Sequence, residues 1–154
     1  MSITQTQMDV KVENLGLEPD IFAIILEIYR DNHYAHLTGI KIVAIGQGKF
    51  IAEMVVEKSN SNMAGTLHGG AIATLIDVCM GMACFTKGVT VVTGNINISY
   101  LAPGRASDKI IAVAQVIRSG KTAFFAEASL EDEKGQIIAR GTGTFFRNGN
   151  LLSK

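Results

Sequence analysis

The stretch Gly69-Gly70-Ala71-Ile72-Ala73-Thr74-Leu75-Ile76-Asp77-Val78-Cys79-Met80-Gly81-Met82-Ala83-Cys84-Phe85-Thr86 carries one formal charge, Asp77. Its length and apolar content first suggest a membrane span. An acid at the centre of such a span costs about 2.5–3.5 kcal/mol on insertion scales, and the Gly-Gly start and lack of basic flanks also argue against one. A helix apolar on every side is instead a buried helix, and the rest of the chain must cover it.

Everything C-terminal to this helix alternates with period two. Residues 91–101 put Val92, Ile96, Ile98 and Tyr100 on one face, and Thr93, Asn95, Asn97 and Ser99 on the other. Residues 108–118, 122–132 and 136–147 read as three more strands, joined by Ser119-Gly120-Lys121 and Glu133-Lys134-Gly135. On the N-terminal side, residues 49–57 alternate Phe50, Ala52, Met54 and Val56 against Lys49, Glu53 and Glu57. Gly46-Gln47-Gly48 turns them back onto a strand at 37–45, weakened by Gly39. A first helix begins near Glu18-Pro19-Asp20, carries Ile21, Phe22, Ile24, Ile25, Leu26 and Ile28, and fades at Arg30-Asp31-Asn32. Consecutive hairpins argue against a doubly wound parallel sheet. The pattern predicts an α+β fold, with six antiparallel strands wrapped around one central buried helix and a further helix at the N-terminus. We read residues 1–154 as one domain, with an N-terminal arm at 1–17 and a C-terminal tail at 148–154.

Composition narrows the function. Of the 154 residues, 47% are hydrophobic and 18% charged, below the roughly 25% charged that is usual for a globular domain. That excludes disorder and leaves apolar surface to bury against another subunit. Fourteen Lys+Arg balance fourteen Asp+Glu, so nucleic acid is not the expected partner. Cys79 and Cys84 lie five apart in the apolar helix, where they point apart and match no metal spacing. They read as buried thiols of a reducing compartment. The polar start, MSITQTQMDVKVEN, lacks the regions of a signal peptide, and a cytoplasmic location follows as the expectation. Asn97-Ile98-Ser99 matches a glycosylation acceptor but sits in a strand and is discounted.

Few residues remain to carry chemistry. Gly120-Lys121-Thr122 resembles the tail of a phosphate-binding loop, but Gln115 stands where its first glycine belongs, so it reads as a hairpin turn. A lysine at such a tip still offers a point charge to a phosphate. His33 and His36 read as surface residues of a loop, with no third ligand to complete a metal site. Gly69 and Gly70 are different. They leave backbone N–H groups uncovered at the positive end of the helix dipole, where an oxyanion or a thioester carbonyl could dock; tight helix–strand packing is the competing account. Asp77 reads either as a buried hydrogen-bonded acid or as a nucleophile or general base. Eight residues separate it from Gly69, about 12 Å along a helix. One chain does not easily bring both to one carbonyl. Two such helices meeting antiparallel about a two-fold axis would.

Gly65-Thr66-Leu67-His68-Gly69-Gly70 followed by Ala73-Thr74-Leu75-Ile76-Asp77 resembles the hotdog-fold acyl-CoA thioesterases, in the phenylacetic-acid-degradation branch that includes the mammalian thioesterase superfamily members. Asn95-Ile96-Asn97-Ile98-Ser99-Tyr100-Leu101-Ala102-Pro103 and Gly120-Lys121-Thr122 extend the match to roughly residues 36–147. The resemblance implies roles for residues that match the family pattern. Asn62, six before His68, helps place the nucleophile. Gly69 donates its N–H to the thioester oxygen, Asp77 is base or nucleophile, and Thr93 on the next strand orients water.

The expected activity is therefore hydrolysis of an acyl-CoA, or a related acyl thioester, to free acid and thiol. Asn62, Gly69, Asp77 and Thr93 form the catalytic set, while His68, Gly70, Gly120 and Lys121 serve substrate binding. Neither metal nor redox cofactor is expected, coenzyme A being part of the substrate. The expected partner is a second copy, as a homodimer or a dimer of dimers. The alternatives are a non-catalytic acyl-CoA binder, which has no need of a buried acid, and a hotdog dehydratase, whose catalytic histidine pattern is missing.

Overall fold

His68 starts the central helix by capping it. Its Nδ1 accepts the Gly70 N–H at 2.9 Å, and the helix α3 then runs Gly69–Phe85. Ile72, Leu75, Ile76, Cys79, Met80 and Ala83 are buried, a spacing that falls on one face of a helix. They pack against the inner faces of the strands β3 (Lys49–Val55), β4 (Val89–Tyr100), β5 (Lys109–Ser119), β6 (Ala123–Asp132) and β7 (Ile137–Asn150). The opposite face, with Ala73, Thr74, Asp77, Val78 and Gly81, is only half-buried. The sequence reads as apolar all round, but the helix has one covered side and one open side.

The computed structural model describes residues 11–152, and within them the sheet order is β1-β2-β3-β5-β6-β7-β4. Six antiparallel strands wrap α3 as expected. A seventh, β1 (Glu13–Leu15), joins in parallel to β2 (Lys41–Gly46). Three residues are too few to show a periodicity, so β1 lay inside the expected arm at 1–17. Strand β7 continues to Asn150, and the expected tail at 148–154 therefore begins later. Residues 1–10 of the arm and 153–154 of the tail lie outside the described residues.

The inner faces follow the alternation. Phe50, Met54, Ile110, Leu130, Ile138 and Phe145 are fully buried, each contributing about 1.5–3 kcal/mol from side-chain burial. Close approach of helix and sheet depends on glycine at one place in particular. A Cβ on Gly141 of β7 would lie 2.7 Å from Cγ2 of Ile76, so a larger residue there displaces the Ile76 side chain.

Helix α1 (Pro19–Arg30) has proline in its first turn and an acid beside it, as expected. The expected strand at 37–45 is corrected. Residues His33–Leu37 form a short helix, α2, because the Asn32 side chain caps it, accepting the Ala35 N–H at 3.0 Å. Gly39, at φ 78°, then ends it. His33 and His36 accordingly sit on a helix rather than a loop. His36 packs edge-on against Tyr29, ring centroids 4.9 Å apart, and its Nε2 lies 3.1 Å from the Arg30 carbonyl.

Candidate active site

Two strands of backbone pairing hold the loop before α3. His68 N–H donates to the Asn60 carbonyl at 2.8 Å and Leu67 N–H to the Gly104 carbonyl at 2.8 Å. Asn62 shapes the turn inside this loop. Its Oδ1 accepts the Ala64 and Thr66 N–H groups at 2.9 and 3.1 Å, and its Nδ2 donates to Thr66 Oγ1 at 2.9 Å. One Nδ2 hydrogen remains for another acceptor. His68 takes the Gly70 N–H, which leaves its own ring proton on Nε2. Gly69, the first helical residue, has no helical acceptor for its N–H. Of the two glycine amides, Gly69 supplies the open one.

Two turns further on, Thr93 Oγ1 donates to Asp77 Oδ1 at 2.8 Å. The alternation alone puts Thr93 on the face opposite Ile96, Ile98 and Tyr100. That assignment is corrected by a bulge. Thr93 pairs with Phe145 and Asn95 with Thr144, so Gly94 is an extra residue in β4. The added residue moves Thr93 onto the helix side, where Phe145 is buried, and leaves Val92 outside. Asp77 is half-buried rather than enclosed, and Thr93 engages only its Oδ1.

Gly120 and Lys121 lie elsewhere. Gly120 N–H donates to the Ala123 carbonyl at 2.9 Å, closing the β5–β6 hairpin with Lys121 exposed at its tip. Through the register Val92–Phe146–Ala123 this tip neighbours the start of β4, whereas Gly69 neighbours its end, with Tyr100 Oη donating to the Gly69 carbonyl at 3.3 Å. At 3.3 Å per strand residue those ends are more than about 20 Å apart. A single chain thus sorts the expected residues into three places: Asn62, His68, Gly69 and Gly70; Asp77 with Thr93; and Gly120 with Lys121.

Residues 64–139 match the family model described as the thioesterase superfamily. Human acyl-coenzyme A thioesterase 13 is 38% identical over 108 residues, covering 68% of this chain and 77% of that protein. This chain belongs to the thioesterase superfamily. The solved E. coli PaaI protein, from the phenylacetic acid degradation operon, superposes on this hotdog thioesterase with a TM-score of 0.83 at 26% identity, covering 87% of this chain and 97% of that one. A Streptococcus mutans protein solved bound to acetyl CoA matches at TM-score 0.71 and 27% identity, covering 72% of this chain and 90% of the other.

In this thioesterase chain an open cleft of about 650 Å³ takes in Asn62, Lys58, Ser61 and Met63, and it includes neither Gly69 nor Asp77. A second cleft lies on the outer sheet face, away from all the expected residues. The perturbed titratable groups are two buried thiols and a tyrosine, none of them among the expected site residues. Burial pushes the Cys84 thiol up to about 12 and raises Cys79 as well. Tyr29 is pushed up to about 12, by burial first and by nearby Cys79 second. Two tyrosines near the site escaped the sequence reading. Tyr100 appeared there only as an apolar-face residue, although its hydroxyl reaches Gly69. Tyr34 Oη lies 3.3 Å from Thr74 Oγ1, one turn before Asp77, and a strand assignment just after it hid that approach. Among the described residues no helix is long and apolar enough to cross a membrane.

Proposed function

We propose that this chain hydrolyses acyl-CoA thioesters to a free acid and coenzyme A, in sites shared between two copies. The observation that carries the proposal is the Asp77–Thr93 pair on the open face of an otherwise apolar helix. The similarity to acyl-coenzyme A thioesterase 13 and to the E. coli acyl-coenzyme A thioesterase PaaI supports the substrate class.

The Gly69 N–H of one protomer polarises the thioester carbonyl, and Asp77 of the partner subunit takes a proton from water through its free oxygen. The water oxygen attacks the carbonyl carbon, and the tetrahedral oxyanion rests on the Gly69 N–H and the helix dipole. The C–S bond then breaks, and the departing thiolate recovers the proton from Asp77. Thr93 fixes the carboxylate's orientation, and the spare Nδ2 hydrogen of Asn62 steadies the water. His68 holds the amide of Gly70 and so sets the first turn. Water and substrate balance this reaction without a further cofactor.

A shared site is supported by the edge of the sheet. Strand β4 is long, its outer edge is open within the protomer, and Val92 and Tyr100 on it are exposed. Natural proteins cover such edges. An antiparallel β4–β4 pairing about a two-fold axis brings the Gly69 end of one chain toward the Asp77 and Lys121 parts of the other. Lys121, with Arg118 and Arg147 nearby in the register and no carboxylate in residues 116–126 or 140–150, then faces the phosphates of coenzyme A. The two free, buried thiols accord with the cytoplasm.

Thiol release from a panel of short, long and aromatic acyl-CoAs tests the proposal. Turnover of at least one class, with hydrolysis absent in Asp77→Asn, is the expected result. Tight acyl-CoA binding without thiol release from any panel member overturns it in favour of a binding protein.

A further inference from the structure

The hydroxyl of Thr93 reaches Asp77 only because β4 carries one extra residue. Gly94 is that residue, and although it is exposed overall, the direction a side chain would take from it is occupied. A Cβ built there would stand 2.7 Å from Cδ2 of Phe146, closer still to Cε2 of the same ring, and 3.2 Å from the Thr144 carbonyl oxygen. The Phe146 ring therefore lies directly on the Gly94 backbone, on the outer face of the sheet, opposite the side where Thr93 meets the helix. Phe146 is 49% exposed, so core packing does not explain an aromatic residue at this place. An aromatic ring laid across a strand glycine shields its backbone and fixes local register.

We infer that Phe146 is a positioning residue for the thioester reaction, clamping the Gly94 bulge that turns Thr93 onto Asp77. The inference rests on the roles given above to Asp77 and Thr93. Without the ring, a glycine in a strand is free to relax, and the bulge can migrate or flatten. Flattening returns Thr93 to the outer face, since a shift of one residue exchanges the two faces of a strand. Asp77 then loses its only hydrogen-bonding partner among the described residues.

Steady-state kinetics on purified full-length variants test this. Phe146→Ala should lower kcat about tenfold while leaving KM for acyl-CoA nearly unchanged, since small misplacements of a catalytic group have effects of that order or more. Phe146→Tyr keeps the ring and should keep kcat. In a Thr93→Ala background, Phe146→Ala should cost nothing further, because both changes remove the same hydrogen bond. Gly94→Ala, which drives the ring off, should resemble Phe146→Ala; if it does not fold, the Phe146 variants decide alone. Normal kcat in Phe146→Ala, or losses that multiply in the double variant, overturns the positioning role and leaves the proposed reaction intact. Normal kcat in Thr93→Ala overturns the role of Thr93 itself, and the positioning role with it.

Discussion

Thr93 and Asp77 stand 2.8 Å apart across the helix–strand boundary, with the hydroxyl donating and the carboxylate accepting. The bond fixes which carboxylate oxygen faces the strand and which faces the open side of α3. An aspartate in an apolar helix is costly unless its charge is satisfied. Here one hydrogen bond and partial exposure satisfy it while leaving an oxygen for chemistry.

Asp77→Asn should therefore fold normally, because the amide oxygen still accepts from Thr93 and the site is half-open. The amide neither takes up a proton nor attacks a thioester. We expect a loss of at least about a hundredfold in kcat, the usual cost of removing a general base. Circular dichroism and thiol-release kinetics check both halves, and near-normal turnover in a folded variant would end the mechanism.

Lys121→Ala should raise KM for acyl-CoA more than it lowers kcat. The side chain is exposed at a hairpin tip, and the proposed reading makes it a point charge on a phosphate. Added salt should shrink the difference from wild type, as screening reduces the contribution of an exposed charge. An equal loss on an acyl-pantetheine substrate, which lacks the nucleotide phosphates, would remove phosphate contact as the cause.

Most of the architecture was legible in the sequence because its signals are local. The alternation of Phe50, Ala52, Met54 and Val56 predicts the buried face of β3 correctly, and all four are buried. The absence of charge around Asp77 predicts α3. What was not legible depends on single residues or distant partners. Asn32 and Gly39 make a short helix of His33–Leu37 where a loop was expected, and the strand expected at 37–45 begins only at Lys41. Gly94 inverts the faces of β4 halfway along, and no count of alternating residues reveals which glycine is the bulge. The one-sided exposure of α3 was equally hidden, since both sides are apolar and only the strand packing distinguishes them.

Thr86 is buried where α3 ends, and its Oγ1 accepts the Gly48 N–H at 2.7 Å and donates to the Ala83 carbonyl at 2.7 Å. It ties the β2–β3 turn to the helix. Thr86→Val keeps the shape and removes the hydroxyl, leaving a buried amide without its acceptor. The expected destabilisation is about 1–3 kcal/mol. Urea unfolding should show a lower midpoint with an unchanged slope, while kcat in folded protein stays near wild type. A midpoint equal to wild type would show that the tie contributes nothing.

Gly69 and Asp77, about 12 Å apart along one helix, give the sharpest test of a site shared between subunits. Asp77→Ala removes the acid from one variant, and Gly69→Pro removes the amide hydrogen from another, at a first-turn position that tolerates proline. Each homodimer should be inactive. In a mixed dimer with shared sites, one site draws both altered residues and the other draws neither. Random pairing makes half the dimers mixed, with one working site in each, so about a quarter of wild-type activity should return. Were each site contained within a single chain, every site in the mixture would lack one group and none would work. Co-expression with two affinity tags isolates the mixed dimer, in which half of wild-type activity is expected per dimer. Melting curves must first show that both parent variants fold. An inactive mixed dimer from two folded parents would rule out the pairing of Gly69 with Asp77 of the partner subunit.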